Sequence, residues 1–135
     1  MSHSFYDAYR HSGGPDWKRT ASFPPTLYPS HSIAAVLSVT GARMTQVSCL
    51  GFEDRSDDGV FERDVSLWQN THSNETALFR TSDGGMCRIN EFRRIGISRG
   101  SSVRTSIYGT LGSFEEQANA RAWSTLSPDD PIDLR

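Results

Sequence analysis

Tyr28 and His31 stand three residues apart in Pro24-Pro25-Thr26-Leu27-Tyr28-Pro29-Ser30-His31-Ser32, with a proline between them that restrains the backbone. An imidazole ordinarily titrates near neutrality, so it can take a proton from a reacting oxygen and later return it. A phenol three residues earlier can hydrogen-bond the same substrate or orient the ring. The run that follows carries a serine at its start, apolar residues through its middle and Gly41 just past its end. It predicts a buried helix over residues 32–40, which puts His31 at a helix N-terminus, reached from a proline-rich loop. The competing reading is that Tyr28 packs as a loop anchor and His31 only caps the helix.

Asn90, Glu91, Arg93 and Arg94 make the most polar strand of the chain. Burying such groups without partners costs roughly 1–3 kcal/mol each, so they must be paired, bound to ligand or wet. Ion pairs at an interface are the favoured reading over substrate contacts. Four histidines (His3, His11, His31, His72) and two cysteines invite a metal reading, but their spacings match no zinc signature. No metal is expected. Cys49 and Cys87 have no CxxC partner and read as small buried hydrophobes.

The elements that must position these residues follow from turn residues and patterning. From Ser12 to Pro29, Gly13-Gly14-Pro15 and Pro24-Pro25 forbid a long helix and predict an extended loop anchored by Trp17, Phe23 and Tyr28. Thr45 to Phe52 reads as a strand, and the acidic stretch from Glu53 to Gly59 as a solvated turn. The strands 75–81 and 86–95 flank Ser82-Asp83-Gly84-Gly85, residues that tolerate positive φ where a tight reversal needs it. A second hairpin joins 103–108 to 113–117 through Gly109-Thr110-Leu111-Gly112. The last dozen residues, with Pro128 and Pro131, are expected to fray. One helix among about five hairpin-joined strands predicts an α+β domain. Its sheet is open and mainly antiparallel, with helical cover on one face and the other face available for oligomerisation.

The chain has 135 residues, which suits one domain with a real core. Hydrophobic residues at 36% and charged residues at 22% exclude a disordered composition. The net charge of −2, with scattered basic residues that are nearly all arginine, makes nucleic acid an unsuitable partner. Arginine suits forked pairing with carboxylates at subunit contacts. No run of roughly eighteen apolar residues is present, and Met1-Ser-His-Ser-Phe-Tyr-Asp lacks a signal-peptide pattern. The expected location is cytoplasmic, with no membrane partner.

The run Pro24 to Ser32, the later run Asn74-Glu75-Thr76-Ala77-Leu78-Phe79-Arg80, and Tyr108-Gly109-Thr110-Leu111-Gly112-Ser113-Phe114 together resemble the C-terminal domain of Gfo/Idh/MocA oxidoreductases over roughly residues 5 to 123. Tyr28-Pro29-Ser30-His31 is the most specific element. It is also similar to the NAD-dependent N-acetylgalactosaminidase branch, although that branch usually carries glycine where Ser32 stands. The resemblance implies a fold like the C-terminal domain of dihydrodipicolinate reductase. It implies oxidation of a sugar, inositol or related polyol, with His31 as acid/base and Tyr28 beside it. His11, Trp17 and Arg19, ahead of the motif, take the family's place for substrate contacts, against the plain alternatives of a surface histidine and a packing tryptophan. The family's cofactor, NAD or NADP, is held mainly by an N-terminal Rossmann domain. Neither the glycine-rich G-x-G-x-x-G turn nor a Glu-Lys-Pro motif occurs here, so no cofactor-binding residue is expected in this chain. The Rossmann domain is expected in cis or in trans, and the isolated chain is expected to be inactive. The implied partners are the polyol and further copies of the chain, as a dimer or tetramer through the sheet face. The alternatives are a stand-alone binding or assembly domain and half of an NAD-dependent glycosidase.

Overall fold

The computed structural model describes residues 13–96, 103–117, 120–125 and the backbone of 132–133. The chain divides into two compact units, Met1–Gly96 and Ile97–Arg135. In the first, helix α1 (Trp17–Ala21), a 3-10 turn (Pro25–Leu27) and helix α2 (Ser30–Thr40) precede strands β1 (Met44–Glu53), β2 (His72–Thr81) and β3 (Met86–Phe92). The strands form one antiparallel sheet in the order β1-β2-β3. The second unit is an antiparallel sheet of β4 (Ser106–Tyr108), β5 (Gly112–Glu116), β6 (Arg121–Thr125) and β7 (Ile132–Asp133), in that order. The architecture is α+β.

Helix α2 begins two residues before the predicted start, with Pro29 as its cap and no side-chain hydrogen bond there. It stops where expected: Gly41 takes a left-handed conformation at φ 63° and its N–H returns to the Leu37 carbonyl at 2.8 Å. The helix is not buried as its apolar sequence predicts, since none of its residues is buried and Val39 is 63% exposed. It packs on β3, and three strands are too narrow a platform to cover an all-round apolar helix. The proline-rich stretch does contain Trp17 and Phe23 as anchors. Phe23 is buried, and Trp17 lies against Ala21, Val60 and Phe61. Tyr28 is not an anchor, being 58% exposed.

The 82–85 reversal forms the β2–β3 hairpin. Gly84 adopts φ 88°, its N–H bonds the Thr81 carbonyl at 3.1 Å, and the Asp83 carboxylate accepts from the Thr81 hydroxyl and the Gly85 N–H. These bonds hold the Asp83 carboxyl below its usual range, the Thr81 hydroxyl most of all. In the second unit, Gly109 N–H donates to the Gly112 carbonyl at 2.8 Å. A side chain at Gly112 would meet the Ser124 carbonyl at 2.7 Å, so the β5–β6 approach requires glycine. Ile107, Phe114 and Trp123 lie opposite one another across β4, β5 and β6. Of the last dozen residues predicted to fray, Ser124 and Thr125 belong to β6 and pair with β5, Ile132–Asp133 pair with β6, and 126–131 and 134–135 lie outside the described residues.

Period-two alternation divides the first sheet's faces. Ser73, Ala77, Thr81, Ile89, Glu91 and Arg93 are buried on the inner face, beneath α2 and the 3-10 turn. Leu50, Phe52, Leu78, Met86 and Phe92 are exposed on the outer one. The 54–71 loop, whose packing sequence patterning did not reveal, supplies Val60 and Phe61 to the core. Asn70 ties it down, donating from Nδ2 to the carbonyls of Ser22 at 3.1 Å and His72 at 2.8 Å. Cys49 and Cys87 depart from the buried reading, Cys49 being exposed and Cys87 half-buried. The reason is positional: Cys49 lies on the sheet's edge strand, which the helix does not cover.

Candidate functional site

Glu75 on β2 and Glu91 on β3 are register partners on the inner face. Two carboxylates this close repel unless each is neutralised or hydrogen-bonded. Both are bound to the segment that carries Tyr28 and His31. The Thr26 N–H and hydroxyl donate to Glu75 Oε2 at 2.9 and 2.5 Å. Ser32 donates its hydroxyl to Glu91 Oε1. Arg93 completes the arrangement: its Nη2 lies 3.4 Å from Glu91 Oε2 and donates to the Pro25 carbonyl at 2.8 Å. Its guanidinium sits 4.8 Å from the centroid of the Phe23 ring. Thr26 and Ser32 therefore bracket the Tyr28-Pro29-Ser30-His31 motif and are both fastened to the sheet.

That fastening explains the orientation of the motif. With Pro25, Thr26 and Ser32 turned inward, Tyr28 and His31 are both exposed on the first turn of α2 and the loop before it. Their rings meet edge to face, with centroids 5.7 Å apart and planes at 85°. The structure thus brings together the histidine singled out as acid/base and the phenol expected beside it, on an open surface.

The other candidates fall elsewhere. Trp17 packs on the Ala21–Val60–Phe61 core. Arg19 is exposed and lines a shallow depression of about 580 Å³ with Arg63, Asp64, Val65, Ser66, Leu67 and Gln69, which does not include Tyr28 or His31. His11 lies outside the described residues. Among the described residues no three His, Cys, Asp or Glu side chains gather as a metal site. His72 is half-buried, and its imidazole occupies the space a side chain at Gly51 would need.

The polar strand is paired within the chain, which corrects the expectation of interface ion pairs. Glu91 and Arg93 serve the cluster above. Arg94 binds Asp54 at 3.1 Å and Asp58 at 2.8 Å, while the Lys18 ammonium reaches the Asp58 carbonyl at 2.7 Å. Asn74 closes the strand end by exchanging hydrogen bonds with the backbone of Arg94 at 3.0 and 3.2 Å. Burial pushes the Asp58 carboxyl up and the Arg94 guanidinium down. Asn90 is exposed on the outer face.

Sequence reasoning passed over Thr26, Ser32, Glu75, Asp54 and Asp58. The usable signal lay in alternation, because placing Glu91 and Arg93 on one side of β3 requires counter-groups above that face. No family model, curated protein or solved structure matches the chain. Among the described residues no helix is long and apolar enough to cross a membrane.

Proposed function

We propose that this chain is the substrate-side and assembly domain of a Gfo/Idh/MocA-type oxidoreductase acting on a sugar, inositol or related polyol. The fold proposed for it is like the C-terminal domain of dihydrodipicolinate reductase, and its location the cytoplasm. The observation that carries the reading is the Tyr28–His31 ring pair, open to solvent and braced from below through Thr26, Ser32 and Arg93. A braced loop presenting an imidazole beside a phenol suits the removal of a hydroxyl proton with little reorganisation.

His31 takes the proton from the substrate hydroxyl, and Tyr28 hydrogen-bonds the same oxygen or a neighbouring one. Every strand pairing among the described residues is antiparallel and the sequence carries no G-x-G-x-x-G turn, which supports the reading that a separate domain holds the nicotinamide. A Rossmann domain, in cis or in trans, supplies the hydride acceptor, NAD or NADP. Ser32, which stands where the glycosidase branch carries glycine, is engaged with Glu91, and this favours the oxidoreductase over NAD-dependent glycoside cleavage. The bare outer sheet face supports assembly through that face. It fits equally the second reading, a stand-alone assembly domain without redox chemistry.

The test is polyol-dependent reduction of NAD(P) by the natural complex, with His31→Ala and Tyr28→Phe introduced into this chain. Loss of an acid/base group lowers kcat by about 10²–10⁴-fold with KM little changed. Turnover left intact in His31→Ala would refute its role, and retained polyol binding with no nicotinamide reduction in any preparation would support the assembly reading instead.

A further inference from the structure

Strand β1 is ten residues long, lies at the edge of its sheet and is exposed along almost its whole length, with only Met44 half-buried. Exposed edges normally carry lysine, proline or an inward-turned charge that discourages pairing with another chain, or are kept very short. From Met44 to Phe52, Met-Thr-Gln-Val-Ser-Cys-Leu-Gly-Phe, there is no charge and no proline. The opposite edge differs: β3 is seven residues long and carries Arg88 and Glu91. Bulges lie at both ends of β1, between Met44 and Gln46 and between Phe52 and Glu53. They delimit a regular stretch, Gln46 to Phe52, whose midpoint is Cys49. The geometry points to a second copy of this chain adding its own β1 antiparallel to this one, about a two-fold axis at Cys49.

Three features favour a second copy over an unrelated strand. The regular stretch is uncharged, so pairing with itself sets no like charges opposite each other. About an axis at Cys49, antiparallel pairing sets Glu53 opposite Thr45 and diagonal to Arg43, twice by symmetry, with Arg43 and Glu53 both exposed and Arg43 also facing Arg55, whose guanidinium Glu53 already accompanies. Glu53 already lies 3.6 Å from Arg55, at a surface distance that leaves it available to a second cation. Finally, an isologous contact is closed: it pairs the two β1 edges with each other and leaves only the shorter, charged β3 edges at the ends of the joined sheet. Seven paired residues span about 24 Å, and the exposed apolar groups of β1 on both faces, Val47, Leu50 and Phe52, then continue into the partner sheet. This contact uses the strand edge and so goes beyond assembly through the outer face.

Cys49 reports the register. Opposed antiparallel residues have Cα atoms about 4.5–5.5 Å apart, within the roughly 4.4–6.8 Å a disulfide spans. Partial burial, and then the Glu75 carboxylate, hold the Cys49 thiol above its ordinary value, so oxidation is run at alkaline pH. Copper-phenanthroline removes two electrons and the thiol protons leave as the bond forms. The full chain and Cys87→Ser are expected to give a covalent dimer, and Cys49→Ser none, while Cys49→Ser still sediments as a dimer. Cys49→Lys sets two cations across the axis and raises the dimer dissociation constant about tenfold or more, with an unchanged circular dichroism spectrum. A monomer at high concentration overturns the proposal. So does a dimer that Cys49 does not cross-link, or one that survives Cys49→Lys but is lost on Met86→Lys, which would locate the contact on the outer face.

Discussion

The two faces of the β1–β2–β3 sheet are built from alternate residues of the same strands, yet they end in opposite states. On the inner face every charge of the β2–β3 pair has found its counter-group within the chain: Glu75 with Thr26, and Glu91 with Ser32 and Arg93. On the outer face Leu50, Phe52, Leu78, Met86 and Phe92 remain uncovered. The polar groups that suggested subunit contacts are thus spent on positioning a loop, and the surface left for contacts is apolar with scattered polar neighbours. Polarity in a strand marks what it must satisfy, whereas exposure marks what is still open.

The sharpest way to break this contrast is to remove one inner-face charge. Glu91→Ala leaves Arg93, with only 9% of its side chain exposed, without its carboxylate. Breaking a buried pair from one side costs roughly 3–5 kcal/mol, a large share of the stability of a small domain. Urea unfolding checks this, and a loss below about 1 kcal/mol would mean that the cluster is solvated and does not brace the loop. A smaller effect is expected of Thr26→Val, which keeps the side-chain shape but removes the hydroxyl donor to Glu75. The cost is about 1.5 kcal/mol, the lower range for a hydrogen bond to a charged group. If the cluster positions the motif, Thr26→Val also alters the environment of the His31 ring protons by NMR. An unchanged His31 spectrum would separate the brace from the motif it is argued to hold.

Much of this arrangement was legible in the residues, for reasons that differ by element. The β2–β3 hairpin was readable because Asp83 and Gly84 have turn chemistry that acts locally, and the end of α2 because Gly41 can adopt a left-handed conformation. Period-two alternation along β3 separates the buried Ile89, Glu91 and Arg93 from the exposed Arg88, Asn90 and Phe92. What the sequence left open depends on contacts distant along the chain. Thr26 meets Glu75 across 49 positions, and Ser32 meets Glu91 across 59. No local pattern encodes which carboxylate a threonine will reach. The burial expected of α2 failed for a similar reason, since apolar composition states a preference and the width of the covering sheet decides it.

On the outer face the expectation reverses. Met86→Lys replaces a side chain that is 82% exposed, so folding stability should stay within about 0.5 kcal/mol. Assembly through the outer face, if that proposed contact is the one in use, weakens by sedimentation velocity, whereas pairing through β1 is unaffected. A stability loss comparable to that of Thr26→Val would mean that the outer face is covered within the chain after all.

The smallest effect is a pH dependence, in which two carboxylates move in opposite directions. Asp83 has a lowered folded-state pKa because the Thr81 hydroxyl and Gly85 N–H donate to its charged form. Its contribution is present above the unfolded value of 3.8 and is lost as pH falls through the lower folded value. Asp58 has a raised pKa, chiefly from burial, so the folded state holds its proton more tightly and its contribution to stability declines as pH rises through that raised value. Following the Gly85 amide shift through an acid titration isolates the turn from the Asp58 cluster. Its midpoint is expected below 3.8, and Asp83→Asn should abolish the transition. A midpoint at or above 3.8 would show that the carboxylate does not hold the turn. The hairpin register would then rest on Gly84 and strand pairing alone.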